Sequence, residues 1–208
     1  VYWDYFMMIF SDRFVWVPFY ASFIFVLLKN FPVKVVMSTI VVITLIILFS
    51  DQTASGILKP LVARMRPSNP DNPISPMVHV VQGYRGGRYG FPSSHAANAW
   101  SMAFFAQYLV RRSKLTIFLC LWALITSYSR MYLGVHYFGD ILIGTLIGFL
   151  YATLYYYIFQ YFLRKHTERF KPNHDIRFAS VPIITGLVSI WVIICTSGIL
   201  SFYSIPLR

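Results

Sequence analysis

Long apolar stretches alternate with short polar breaks along this chain, and the stretches run too long for strands or for an ordinary soluble core. The clearest, "ILIGTLIGFLYATLYYYIFQYF", carries 22 residues without a charge. Six such stretches predict helices at roughly 15–31, 35–57, 94–111, 115–133, 138–163 and 181–204. Each is close to the ~20 apolar residues that the hydrocarbon core of a bilayer requires. The expected fold class is therefore all-α: a polytopic membrane protein of six transmembrane helices, forming one domain over 1–208. Ahead of the first stretch, "DYFMMIFSDRF" reads as an amphipathic piece lying at the interface. The tyrosine run late in the fifth suits an aromatic belt at the membrane–water boundary. The one real loop, 67–92, is punctuated by prolines and then by glycines, and no internal repeat or low-complexity segment interrupts the pattern.

Composition sharpens the class. Charged residues make up 12% of the chain against 57% hydrophobic, about half the charged share usual in soluble domains. The net charge of +11 is scattered among apolar spans, which opposes nucleic acid and favours anionic headgroups or an anionic substrate. A bilayer and a membrane lipid are thus the expected partners, and the pattern carries no sign of oligomeric state. Cys120 and Cys195 both lie inside apolar runs and read as small core residues, not as a disulfide or metal pair. The chain opens at Val1 without a methionine, so its true N-terminus and any targeting signal are expected to precede it.

Six spans distribute the loops over two sides. One side receives ten Lys and Arg: Lys29, Lys34, Arg111, Arg112, Lys114, Arg164, Lys165, Arg169, Lys171 and Arg177. The other receives eight, Arg13, Lys59, Arg64, Arg66, Arg85, Arg88, Arg130 and Arg208, of which three are assigned to chemistry below. The excess places the short linkers in the cytoplasm and the 58–93 loop outside.

Polar residues gather in three places. In "KPLVARMRP", Lys59 and Arg66 are seven apart, so a continuous helix would align them on one face about 10 Å apart. Pro60 argues for a kink or a fresh helix start. Snorkelling interfacial cations are the alternative. In "GFPSSHAANAW", Ser93 after Pro92 is a plausible N-cap for a helix starting near Ser94, whose first N–H groups and dipole form a ready anion site with His95 at its rim. A capped helix with an incidental histidine is the alternative. In "SRMYLGVHYFGD", His136 and Asp140 are four apart and share a helix face if the fifth span starts there, so the carboxylate would fix the imidazole tautomer. Arg130 adds a planar fork for phosphate oxygens, with a structural ion pair to Asp140 as the alternative. All three clusters fall on one side of the six-span topology. Two histidines, three cations, a helix N-terminus and one carboxylate suit a phosphoryl group. They suit a divalent metal poorly, and no metal or other cofactor is expected.

Lys59 with six residues to Arg66-Pro67, then Pro92-Ser93-Ser94-His95, then Ser129-Arg130 with five residues to His136 and three more to Asp140, resemble the three-part signature of the type-2 phosphatidic acid phosphatase superfamily. The resemblance covers the chain from about Lys59 to Asp140. One departure is Ser94, where the family usually has Gly; serine keeps the N–H but adds a side chain, which bears on pocket width. The resemblance implies metal-independent phosphate ester hydrolysis through a phosphohistidine. On it His136 is the nucleophile, Asp140 orients and activates it, and His95 protonates the departing oxygen. Lys59, Arg66, Ser93, Ser94 and Arg130 bind the phosphate oxygens. Small bacterial members suggest lipid A phosphate, undecaprenyl pyrophosphate or phosphatidylglycerol phosphate as substrates, in the bacterial inner membrane with the site facing the periplasm. Arg85 and Arg88, with Tyr84 and Tyr89 on the Gly-rich loop, are candidate headgroup contacts, or simply solvated loop residues. Phosphotransfer to an acceptor other than water would use the same residues. A membrane anion transporter is the rival from another class, though the chain lacks the symmetric broken helices such proteins often show.

Overall fold

The computed structural model describes residues 1–166 and 176–206. Arg169, Lys171 and Arg208, which enter the charge balance above, lie outside them, as do the side chains of Arg164 and Lys165. Among the described residues the architecture is helical: α1 (Tyr2–Phe10), α2 (Val17–Asn30), α3 (Val33–Asp51), α4 (Lys59–Val62), α5 (Ser94–Val110), α6 (Ser113–Tyr132), α7 (Phe138–His166) and α8 (Val181–Tyr203). A π-helical stretch, Gln52–Leu58, joins α3 to α4.

Among the described residues four helices are long and apolar enough to cross a membrane: Val33–Val62 taken through its π-helical turns, Ser113–Tyr132, Phe138–Leu163 and Val181–Tyr203. The pair Tyr2–Phe10 and Arg13–Asn30, bent by 64°, makes a fifth if counted as one span. The remaining expected span, α5, has 17 residues, so it rises about 26 Å against a hydrocarbon core of about 30 Å. It is an interior helix, packed on α7, α6 and α3.

The seam between α5 and α7 is built from small residues. On α5, Ala96, Ala97, Ala99 and Ser101 are buried. On α7, Gly144 and Gly148 meet them. A Cβ added at Gly144 would press on the Ser93 carbonyl, and one at Gly148 would come within 2.8 Å of the Ser101 nitrogen. Apolar side chains gain little from each other inside lipid, so helices there associate through close packing, and glycines four apart allow the backbones to touch. The outer face is inverted relative to a soluble protein. Leu142, Leu146, Leu150 and Leu154 form an exposed stripe along α7, and Ile184, Leu187, Val188 and Trp191 are exposed on α8.

The segment expected to lie at the interface is built into the bundle. Tyr5, Met7 and Phe10 of α1 are buried, and the helix rests on α8 and α6. Its turn into α2 is fixed by the Asp12 carboxylate, which accepts from Phe14 N–H at 2.8 Å, and by Trp16 Nε1, which donates to the Phe10 carbonyl at 2.9 Å.

At the other end of the long span, α4 stops where Ala63 adopts a left-handed conformation (φ 50°), its N–H bonded to the Lys59 carbonyl at 3.0 Å. The chain then extends. Met65 pairs with Tyr89, Arg66 N–H donates to the Arg88 carbonyl at 3.2 Å, and Gly90 N–H donates to the Arg64 carbonyl at 2.9 Å. The two ends of the loop are thereby stitched together over one end of the bundle.

Candidate active site

Three segments meet beneath that loop. Ser93 is the N-cap of α5, and its hydroxyl accepts from Ala96 N–H at 3.4 Å. Its own N–H donates to the Asp140 carbonyl at 3.0 Å, which couples the start of α5 to the start of α7. The N–H groups of Ser94 and His95 are among those that a helix start leaves without an intrahelical acceptor. His95, on the first turn, is exposed to a cavity that Ser94 also lines.

His136 sits in the short linker between α6 and α7. Gly134 (φ 68°) turns the chain there, its N–H bonded to the Met131 carbonyl at 2.9 Å. Asp140, in the first turn of α7, reaches back in the manner of a capping box: Oδ2 accepts from Tyr137 N–H at 2.8 Å and lies 3.3 Å from His136 Nδ1. The four-residue spacing thus yields the expected contact. With Nδ1–H directed at the carboxylate, the Nε2 lone pair is free. His136 is 4% exposed and Asp140 is fully buried. Burial first, and then the charges of Arg66, Arg130 and Lys59, hold the His136 imidazole well below the ordinary histidine range, so it stays neutral at pH 7.

The cations are placed differently from the helix-face expectation. Because α4 ends at Val62, Lys59 and Arg66 do not share a helix. Lys59 Nζ donates to Ser55 Oγ one turn back at 3.4 Å. Arg66, 9% exposed, sits in the extended segment, with Nε on the Tyr89 carbonyl at 3.1 Å and Nη1 on the Val135 carbonyl at 3.3 Å. Two loop glycines explain themselves here. A Cβ at Gly86 (φ 67°) would come within 2.9 Å of Arg66 Nη1, and one at Gly90 would stand 3.2 Å from Asp140 Oδ2.

Arg130 does not pair with Asp140. It is 4% exposed, and its guanidinium donates to two neutral hydroxyls, Ser11 Oγ and Tyr84 Oη, with Nε buried and unpartnered. The carboxylate's cationic partner is Arg64, whose Nη2 binds Asp140 Oδ1. Arg64 lies between two rings, its Cζ 4.7 Å from the Phe91 centroid and 5.1 Å from that of Tyr137. In the sequence Arg64 looked like a loop cation. The signal was its place two residues before Arg66, which puts both on one side of an extended segment.

Among the candidate headgroup residues, Arg85 is engaged by the loop itself, donating to the Ser68 carbonyl and to Ser75 Oγ. Arg88 is exposed and stacks on Tyr89 at 5.5 Å. The whole arrangement gathers cations, hydroxyls and N–H donors around one neutral imidazole. That is a set for an oxyanion undergoing nucleophilic attack. Among the described residues no group of three His, Cys, Asp or Glu side chains is placed to hold a metal ion.

Arg64 acts on His136 only through Asp140, which gives a direct expectation. Arg64→Gln should lower kcat on a lipid phosphate by roughly 10²-fold through a misaligned imidazole while KM moves little. Steady-state kinetics would show it; unchanged kcat would mean that Tyr137 N–H alone fixes the carboxylate.

The family model of the PAP2 superfamily matches residues 35–164. A lipid A 4'-phosphatase of Bacteroides thetaiotaomicron is 44% identical over 91% of this chain and 85% of its own. A second protein of that name, from Porphyromonas gingivalis, is 35% identical over 76% of this chain and 66% of its own. A dihydrosphingosine 1-phosphate phosphatase of Schizosaccharomyces pombe is 27% identical over 73% of this chain and 39% of its own. No solved structure matches the chain significantly.

Proposed function

The chain belongs to the PAP2 superfamily and is a phosphoric ester hydrolase, and from that premise we propose that it removes the 4'-phosphate of lipid A through a phosphohistidine. The observation that carries the mechanism is the neutral, carboxylate-held His136 set among Arg66, Arg130 and Lys59. His136 Nε2 attacks phosphorus, and the bond from phosphorus to the sugar oxygen breaks. The negative charge of the bound phosphate holds a proton on His95, which passes it to that oxygen, so the lipid leaves as an alcohol. Asp140 stabilises the positive charge that develops on the His136 ring. Lys59, Arg66, Arg130, the Ser93 hydroxyl and the N–H of Ser94 receive the charge on the phosphoryl oxygens. The Ser11 and Tyr84 hydroxyls that Arg130 now contacts are neutral, so a phosphate dianion outcompetes them. Water, deprotonated by His95, then cleaves the phosphohistidine and releases inorganic phosphate. The choice of lipid A over other lipid phosphates rests on the two bacterial relatives.

We place the reaction at the periplasmic face of a bacterial inner membrane, with six spans that include α5. Support comes from the basic linkers at Lys29–Lys34 and Arg111–Lys114, which lie at the end of the bundle opposite the site. A cysteine replacing Arg88 should react with an impermeant thiol reagent in intact cells, and one at Lys34 should not; the reverse pattern would invert the orientation.

Purified protein in detergent should release phosphate from lipid A and do so faster than from undecaprenyl pyrophosphate or phosphatidylglycerol phosphate. Excess chelator should leave the rate intact, while vanadate, which mimics pentacoordinate phosphorus, should suppress it. A rate that collapses with chelator and returns with magnesium would rule out this mechanism.

A further inference from the structure

A cavity of about 480 Å³ opens beside His95 and continues between α2, α3, α5 and α6. Ser11, Arg13, Asp51 and Ser94 line the end nearest the site; Leu27, Ile40 and Ile43 line the far end. From Asp51 down α3 to Ile40 is about 16 Å, roughly half of a ~30 Å hydrocarbon core. The cavity is therefore as deep as one leaflet, polar at its mouth and apolar at its floor.

Between mouth and floor its wall holds an anomaly. Asn98 Oδ1, Thr126 Oγ1 and Trp122 Nε1 are buried polar atoms without a hydrogen-bond partner, and all three side chains line this cavity. Thr126 is 8% exposed and Trp122 4%. Unpaired buried polar atoms destabilise a fold, and more so inside a membrane, where water does not relieve them. Asn98 follows His95 by three residues and so lies about 4.5 Å further along α5, on the same face. Asn98 thus sits one turn beyond the group proposed to face the leaving oxygen, and Thr126 and Trp122 line the same cavity from α6.

We propose that this cavity receives the alcohol side of the lipid phosphate, and that Asn98, Thr126 and Trp122 read an acylamide carried within two carbons of the phosphate-bearing carbon. The inference deepens the lipid phosphatase reading and rests on it. The chemistry of the three atoms selects the ligand group. An indole N–H only donates, an amide oxygen only accepts, and a hydroxyl does both. An acylamide satisfies the set: its N–H pairs with Asn98 Oδ1, and its carbonyl accepts from Trp122 Nε1 and Thr126 Oγ1. An ester offers acceptors alone and leaves Asn98 Oδ1 unpaired. The acyl chain beyond the amide then follows the apolar floor toward Leu27 and Ile40.

The test compares two lipid monophosphates of equal chain length, ceramide 1-phosphate with its acylamide and phosphatidic acid with esters only. In wild type the ratio of their kcat/KM values should favour the amide by roughly 10- to 10²-fold, the scale on which leaving one buried acceptor unpaired disfavours an analogue. Asn98→Leu should bring the ratio toward one. Thr126→Val should lower the ratio less, and should keep or raise the melting temperature of the ligand-free protein, because it deletes an unpaired hydroxyl. A structural role would lower it. Dissociation constants of the same two lipids for His136→Ala give the preference without turnover. A binding preference with no phosphate release in wild type would refute the hydrolase reading alone. Equal binding of the two lipids, an Asn98→Leu ratio like that of wild type, or a Thr126→Val protein that melts lower would overturn this inference.

Discussion

His136→Ala should release no phosphate from any ester, a loss of about 10⁴-fold or more, because no leaving group compensates for a missing nucleophile. The geometry makes the assignment specific to this histidine. His136 Nδ1 is committed to Asp140 at 3.3 Å, its ring is buried, and burial with three nearby cations keeps it neutral, so one nitrogen is left to attack. On the proposed mechanism the His136 ring retains phosphate until water arrives. Quenching a reaction with radiolabelled substrate under alkaline conditions should therefore trap an acid-labile, base-stable phosphoprotein in wild type and none in His136→Ala. Label found on His95 instead, or turnover of an activated ester by His136→Ala, would reverse the assigned roles.

His95→Ala should cost about 10²- to 10⁴-fold on a lipid phosphate, the range that general acids contribute. The loss should shrink sharply on nitrophenyl phosphate. The two substrates differ in how much they need a proton: a sugar or alkyl oxygen leaves as a strong base, a nitrophenolate as a weak one. His95 has the position for this task, since it stands exposed on the first turn of α5 at the mouth of the cavity, while His136 is enclosed. Its second task, deprotonating water, predicts accumulation of the phosphoenzyme in His95→Ala with the activated ester. Equal losses on both substrates would assign His95 to binding and not to proton transfer.

Much of this site was legible in the residues because its decisive contacts are local. The Ser93 cap and the His136–Asp140 pair are matters of three or four positions on one helix, and sequence spacing predicts them directly. The positions of the long helices were legible for a similar reason, since apolar runs define them. Where the chain closes on itself, spacing alone failed. Nothing in "LVARM" marks Ala63 as a left-handed helix stop, so Lys59 and Arg66 seemed to share a face that the chain abandons. Arg64 reaches Asp140 across 76 positions, and Arg130 prefers the Ser11 hydroxyl 119 positions away. Loop closure on that scale leaves no periodicity to read. The orphaned wall of Asn98, Thr126 and Trp122 was equally hidden, because each looks like an ordinary polar or aromatic member of its own helix.

The contact of α7 with α5 through Gly144 and Gly148 bears on how this sequence is free to drift. Hydropathy would rank Gly148→Ala among the mildest changes possible and Leu146→Met or Leu150→Phe as comparable to it. The structure reverses that order. An added methyl at Gly148 meets main chain, which has no rotamer to yield, whereas Leu146 and Leu150 face the surroundings and have room for any apolar shape. Variation should therefore accumulate on the leucine stripe and be excluded from the glycines two positions away. A variant's harm in this protein follows the nearness of backbone to backbone, and apolarity is a poor guide to it.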